Sequence, residues 1–358
     1  MSNSYGNDKK RAVDAKTDAQ KIAFAPLMFQ AAKALRDFGI LKLLLREKKG
    51  LTSEQIASNV NISRYGATVL LEAGLSLELV YLKEGKFKLT KTGFFLERDA
   101  MTKANMNFAN DINYKGAFYL QESIREGKPV GLHNVFGNWN TVYEALSELP
   151  DDARKSWFEF DHFYSDFAFD EILKIIFKSK PEKIVDLGGN TGKFAIACAS
   201  YSPKASITIM DLPGQLENAK ENVSEYGFKD RINFYPINFL DDDKPFPKGF
   251  DVFWMSQFLD CFSENEIVSI LRRAKNAMKD TSELFILETF WDEQKFEATT
   301  YSLHATSLYF TCMANGNSRM YHSGDMKKLV ENAGLFIDAE FKDIGLGHTL
   351  LRCKKQLK

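Results

Sequence analysis

At 358 residues, with 44% hydrophobic and 27% charged side chains, the chain has ordinary globular composition and enough length for two folded cores. Its 47 basic and 48 acidic side chains nearly cancel, which leaves no electrostatic footprint for nucleic acid or an anionic membrane and points to a small-molecule partner. Cys198, Cys261, Cys312 and Cys353 are scattered without a C-x-x-C pair, which fits reduced thiols in a cytoplasm and argues against zinc or any other metal site.

The first segment, "MSNSYGNDKKRAVDAKTDAQK", has charges but no apolar stretch behind them, so it does not read as a signal peptide. Residues 1–20 are expected to be a frayed polar tail. No apolar run approaches the roughly 20 residues of a membrane-spanning helix, and a soluble protein is expected. Residues 21–100 read as helices followed by a short hairpin. Thr52 and Gln55 form a capping box, Ser63 is an N-cap, and "KEGK" turns between Val80-Tyr81-Leu82 and Phe87-Lys88-Leu89. Together these spell a winged helix. The helix after Ser63 carries Arg64 and Glu72 among Val69, Leu70, Leu71, Leu75 and Leu77, and lacks the Arg, Lys, Asn or Gln that would read phosphates and base edges. It reads as a packing or dimerisation module rather than a DNA-binding one.

Residues 101–178 form an aromatic-rich helical connector, including "WFEFDHFYSDFAFDEILKIIF". Core and interface account for most of it; the sharper reading puts Asp161 to Ser165 against a ligand. From 179 to 358 strand and helix patterns alternate: "KIVDLGG", "KFAIACASY", "SITIMDLP", "QLENAKENVSEYG" ending at Gly227, "INFYPINFL", "FDVFWMSQFLD", "SENEIVSILRRAKNAM" with a second capping box at Ser263 and Glu266, "ELFILETFW" and "SGDMKKLVENAGL". "FIDAEFKDI" and "HTLLRCKK" lie close enough for an antiparallel pair. An open α/β sheet follows, with ligands at the C-terminal ends of its strands.

Three ligands compete for the turn "DLGGNTGKF". A phosphate-binding loop fails twice, because Leu187 stands where its first glycine belongs and Phe194 replaces its hydroxyl. A dinucleotide fingerprint keeps only its first glycine, Gly188, with Asn190 and Lys193 in the other two places. Asp186 at the mouth of the turn opposes both, since a carboxylate favours a cationic ligand. S-adenosylmethionine is such a ligand, and the glycines allow backbone to approach it closely. Asp211, 23 residues after Gly188, can accept ribose hydroxyls, though a dinucleotide site would place an acid there too.

The order of winged-helix module, aromatic connector, "VDLGGNTGKFA", "MDLPG", a strand ending before "FSENE", then "ILE" and "ENAGL" resembles the class I S-adenosylmethionine-dependent small-molecule O-methyltransferases of the caffeic-acid, acetylserotonin and bacterial natural-product types. The likeness covers residues 20 to 355. It implies a Rossmann-like methyltransferase sheet, mostly parallel with an antiparallel C-terminal hairpin, preceded by an all-α, winged-helix domain that forms a homodimer. It also implies a cytoplasmic enzyme that methylates a small aromatic or polyketide-like acceptor on oxygen. Asp186, Gly188, Gly189, Asn190, Asp211, Leu212 and Ser256 are implied as cofactor-binding residues, with Asn238 and Phe239 at the adenine and Tyr164 and Ser165 from the connector. Asn190 stands where the family often has glycine, and Asn238 where it often has aspartate.

The family usually ends the strand before the "FSENE" helix start with a histidine that deprotonates a phenol. This chain has Asp260 there. An unshifted aspartate and a phenol differ by roughly six pKa units, or about 8 kcal/mol. Three arrangements answer that gap: Asp260 raised by burial and by Glu288; Asp260 orienting His162, His304 or His322 as base; or an acceptor that needs little base, such as an activated ring carbon. A purely helix-leading role for Asp260 is the bland alternative. His133 and His348 read as structural, and His322 as serving a cap at Ser323. C-methylation of a phenolic ring is the nearest alternative chemistry. A catalytically inactive cofactor-binding scaffold and a ligand-sensing transcription factor are the alternatives from other classes.

Overall fold

The computed structural model describes Gly6, residues 8–165 and residues 168–355, and the backbone alone for 162–165. Its chain divides into two compact units, Ser2–Ala109 and Asn110–Lys358.

In the first unit the helices Ala25–Asp37, Ile40–Arg46, Ser53–Val60 and Arg64–Ser76 close on a core of Leu35, Ile40, Leu41, Leu44, Ile56 and Leu71, and the hairpin β1 (Val80–Lys83) and β2 (Lys86–Leu89) forms the wing. The local signals work as read. Thr52 accepts from the Gln55 amide at 3.3 Å while the Gln55 side chain accepts from the Thr52 amide at 3.0 Å, and Ser63 caps the next helix. The N-terminal segment departs from expectation: Ala12–Ala23 is a helix, with Asp14 in its first turn and Lys21 in its last. Its alanines and end charges favour helix even though none of its residues is buried.

The second unit is built on a seven-stranded sheet. Its strands are β3 (Lys183–Leu187), β4 (Ser206–Asp211), β5 (Ile232–Pro236), β6 (Val252–Ser256), β7 (Glu283–Glu288), β8 (Phe336–Ile344) and β9 (His348–Lys354), in the order β5-β4-β3-β6-β7-β9-β8. The first five are parallel, β9 runs antiparallel to β7, and β8 is antiparallel to β9. Alternate residues serve opposite faces. Ile184, Val252 and Trp254 pack with the helices Phe169–Ile176, Lys193–Tyr201 and Pro213–Glu225, while Val185, Leu187, Phe253 and Met255 pack with Glu264–Ala277 and Ser323–Asn332.

Chain order reverses direction across the sheet between β3 and β6, which opens a crevice beyond their C-terminal ends. Three strands stop earlier than their apolar runs do. Ile237–Leu240, Gln257–Asp260 and Thr289–Trp291 leave the sheet, and these are the segments that line or back the crevice. The cap before Ser323–Asn332 is His322 itself, whose Nδ1 accepts from the Gly324 amide at 3.0 Å, rather than Ser323. No helix among the described residues is long and apolar enough to cross a membrane. Replacing Thr52 by Ala should destabilise the first unit by about 1 kcal/mol in urea unfolding, because it frees one end of a reciprocal cap.

Candidate functional site

The turn after β3 is held open by backbone geometry. Gly188, Asn190 and Gly192 have φ of 73°, 48° and 79°, so the left-handed region recurs at every second residue. A Cβ on Gly188 would lie 2.3 Å from the Phe258 ring, and one on Gly189 would lie 2.7 Å from Asp186 Oδ2. Close approach therefore requires both glycines, and the left-handed turn requires Gly188 as well. Asn190 is the one side chain that tolerates its place there, since asparagine visits this region more readily than other residues with a Cβ.

The acids converge on that turn. Asp211, at the end of β4, accepts from the Asn190 amide through Oδ2 at 2.8 Å and from the Leu212 amide through Oδ1 at 2.7 Å. Burial raises Asp211 to about 6 against these two donors. Burial, with the Asp211 charge beside it, raises Asp186 to about 8. Asp186 is 3% exposed and its Oδ2 has no hydrogen-bond partner within the protein. A buried carboxylate in that condition calls for a donor or a cation.

A cavity of about 360 Å³ lies over the turn, within the range of small-molecule sites. Asp186, Gly188, Gly189, Asn190, Asp211, Leu212, Asn238, Phe239 and Ser256 all line it. The tenth and eleventh residues expected at the cofactor, Tyr164 and Ser165, have side chains outside the described residues, as does His162. Sequence reading missed Lys193, Tyr143, Gln257 and Cys261, which line the same cavity. Gln257 had no signal to find: its φ of 46° is imposed where β6 breaks away from the sheet.

A second, smaller cavity of about 70 Å³ adjoins the first and shares Tyr143, Trp157, Asp161, Gln257 and Cys261 with it. Asp161 is the member of the connector that sequence had placed at a ligand. Phe160, Leu303, Phe310 and Met320 give this cavity an apolar side; Thr299, Ser302, Thr306 and Tyr309 give it hydroxyls. Trp157 Nε1 donates to Tyr309 Oη at 2.7 Å and fixes one wall.

Asp260 lines this second cavity, 6% exposed, with the Cys261 thiol 3.5 Å from its Oδ1. Burial pushes it up to about 7 against the donors around it. Glu288 lines neither cavity. It lies behind, 2% exposed, where its Oε1 accepts from the Phe258 and Leu259 amides at 3.1 and 2.9 Å. Burial and the Asp260 charge hold it well above the usual carboxylate range. The catalytic contact expected of Glu288 is thus replaced by a positioning one: it ties the turn that presents Asp260.

The histidine arrangement is corrected as well. His304 is exposed on the helix Glu297–Tyr309, its ring 5.0 Å from that of Trp291, and it lines neither cavity. His322 caps its helix and packs edge-on against the Trp291 ring, 5.1 Å between centroids. Neither lines the cavity that Asp260 faces. His133 Nε2 lies 2.9 Å from the Trp139 carbonyl oxygen, and His348 is fully buried in β9, where burial lowers it to about 4.

A family model described as an O-methyltransferase domain matches residues 118–336, and one described as a Dimerisation2-like domain matches residues 16–87. The L-tyrosine C(3)-methyltransferase of Streptomyces lavendulae is 24% identical over 316 residues, 87% of this chain and 85% of its own. Among solved structures, the S-adenosylmethionine-dependent methyltransferase SibL in its apo form is similar with a TM-score of 0.71 at 21% identity, covering 94% of this chain and 98% of that one. Human N-acetylserotonin methyltransferase in complex with SAM is similar with a TM-score of 0.67 at 19% identity, covering 100% of both chains. Replacing Gly188 by Ala should weaken S-adenosylhomocysteine binding at least tenfold by calorimetry, because the new Cβ meets Phe258 and strains a left-handed residue by about 1–3 kcal/mol.

Proposed function

Since the chain belongs to the O-methyltransferase domain family and is an S-adenosylmethionine-dependent methyltransferase, we propose that it methylates a hydroxyl of a small aromatic acceptor, with Asp260 as the proton acceptor. The observation that carries this reading is the pair of adjoining cavities: one lined by glycines and acids, the other by aromatic and hydroxyl side chains with Asp260 in its wall.

The residues present fit the cofactor. The unpartnered Asp186 Oδ2 and the cradle that a Cβ at Gly188 or Gly189 would fill suit a cationic ligand held against backbone. We assign Asp186, Gly188, Gly189 and Asn190 to its methionine end, Asp211 and Leu212 to its ribose, Asn238 and Phe239 to its adenine, and Ser256 to the shared wall. When bound, the cofactor supplies a methyl group on a sulfonium, open to in-line displacement. What the protein adds is largely position, by holding the acceptor oxygen along that line.

Asp260 is a better base than its residue type suggests. Raised to about 7, it lies roughly three units below a phenol instead of roughly six, so the gap falls to about 4 kcal/mol. Glu288 supports it from behind by fixing the turn at Phe258 and Leu259. His162, whose side chain lies outside the described residues, remains a second candidate base. C-methylation of a phenolic ring is the alternative chemistry, favoured by the Streptomyces relative named for it and by the lack of a histidine among the described residues of either cavity. The exposed Ile22, Phe24 and Leu27 of the first unit support a homodimer formed there. Four unpaired cysteines suit a cytoplasmic setting.

Asp260→Asn should lower turnover at least a hundredfold while S-adenosylhomocysteine affinity stays within threefold; full turnover with a phenolic acceptor would remove Asp260 from the mechanism. Because the ionised carboxylate is the active form, kcat of the wild type should rise with pH through about 7 and level off above it. The same shift sets a stability cost. With a folded-state pKa above the unfolded one, Asp260 disfavours the folded state increasingly as pH rises from about 4 to 7, so the Asn variant should be more stable than wild type at pH 8, by on the order of 4 kcal/mol in urea unfolding.

A further inference from the structure

We propose that Asn190 relays cofactor occupancy to the acceptor cavity, because its side chain ties the glycine turn to Asp161 on a helix that walls both cavities. The inference rests on the cofactor reading of the larger cavity.

Asn190 makes three different uses of its polar atoms. Its backbone N–H donates to Asp211 Oδ2 at 2.8 Å, which holds the turn against β4. Its Nδ2 donates to Asp161 Oδ2 at 3.0 Å, which reaches the helix Asp151–Ser165. Its Oδ1 is buried without a partner, on a residue that lines the larger cavity. The amide cannot be turned round, since Oδ1 would then face the Asp161 carboxylate, another acceptor. A buried acceptor of this kind is costly to leave unmade. A donor on a ligand in the larger cavity, such as an ammonium, would satisfy Oδ1 and fix the amide plane. The same plane aims Nδ2 at Asp161.

From Asp161 the path continues along one helix face. Trp157 lies four residues earlier, lines both cavities as Asp161 does, and donates to Tyr309 Oη at 2.7 Å. Tyr309 ends the helix Glu297–Tyr309, which supplies Thr299, Ser302, Leu303 and Thr306 to the smaller cavity. Occupancy of the first cavity therefore orders a wall of the second. By linkage, an acceptor that orders the same wall tightens the cofactor by the same factor. Glycine would meet the φ of 48° at position 190 with less strain, so the turn alone does not explain the side chain.

Hydrogen exchange of the full-length protein, free and saturated with S-adenosylhomocysteine, tests the relay without an acceptor. In the wild type, exchange should slow at least fivefold in peptides covering 184–194 and in those covering 151–161. In Asn190→Gly, at an S-adenosylhomocysteine concentration raised to saturate the weaker variant, the first peptide should still be protected, while the second stays within twofold of its rate in the free protein. Asp161→Ala should behave as Asn190→Gly does, and provides the decision if the glycine variant does not fold. Asp161→Asn, whose side-chain oxygen can still accept from Asn190, should keep protection of both peptides. Wild-type-like protection of 151–161 in Asn190→Gly and Asp161→Ala would overturn the relay, as would wild-type protection confined to 184–194. If S-adenosylhomocysteine neither binds the wild type nor protects 184–194, the cofactor reading falls instead.

Discussion

The structure turns on carboxylates buried at the ends of parallel strands without a cation of their own. Asp186 closes the apolar face of β3, Asp211 ends β4 and Glu288 ends β7, and each is raised by its own burial. An apolar residue at position 186 would pack better among Ile184, Val252 and Trp254 than a carboxylate does. The sheet leaves a crevice there, and under the proposed function a cationic ligand entering it would offset that cost. Lys193 is the one basic side chain among the described residues lining either cavity, so the field of the site stays acidic.

Backbone conformation makes that field usable. Left-handed residues at 188, 190 and 192 turn the chain sharply beneath the cavity while their amides stay bonded to Met210, Asp211 and Gly189, and Gln257 does the same on the neighbouring strand at φ 46°, its amide bonded to Leu287. The two turns meet where Phe258 fills the space that a Cβ on Gly188 would need. The wall of the larger cavity thus depends on one contact between the β3 and β6 ends, the point where strand order reverses.

Asp260 and Glu288 divide labour according to what each touches. Glu288 spends its Oε1 on two backbone amides and never reaches a cavity, whereas Asp260 has the cavity on one side and Glu288 behind it. Two acids in one dry place cannot both ionise easily: burial raises Asp260, and burial together with the Asp260 charge holds Glu288 higher still. The shift of Asp260 toward neutrality thus comes from its surroundings alone. The connector helix adds the second constraint, because Trp157 and Asp161 fix a wall shared by both cavities.

Much of this was legible in the chain itself. Periodicity, capping boxes at Thr52 and Ser263, and alternation from Lys183 onward specify a winged helix followed by an α/β sheet, because those signals depend on neighbours within one or two turns. The acid and glycines of "DLGGNTGKF" specify a cationic ligand on the same local grounds. Three features needed the tertiary structure. Glu288 proved to be a tether and His304 an exposed partner of Trp291, because which way a strand end or helix face points depends on what packs against it. The Asp260 carboxyl is raised to about 7 because desolvation is a property of the assembled crevice. Asn190 met Asp161 across 29 residues because only the folded sheet brings the connector over the turn. Sequence determined which groups were available and the local shapes they impose; long-range packing decided which of them share a dry volume, and that volume sets their chemistry.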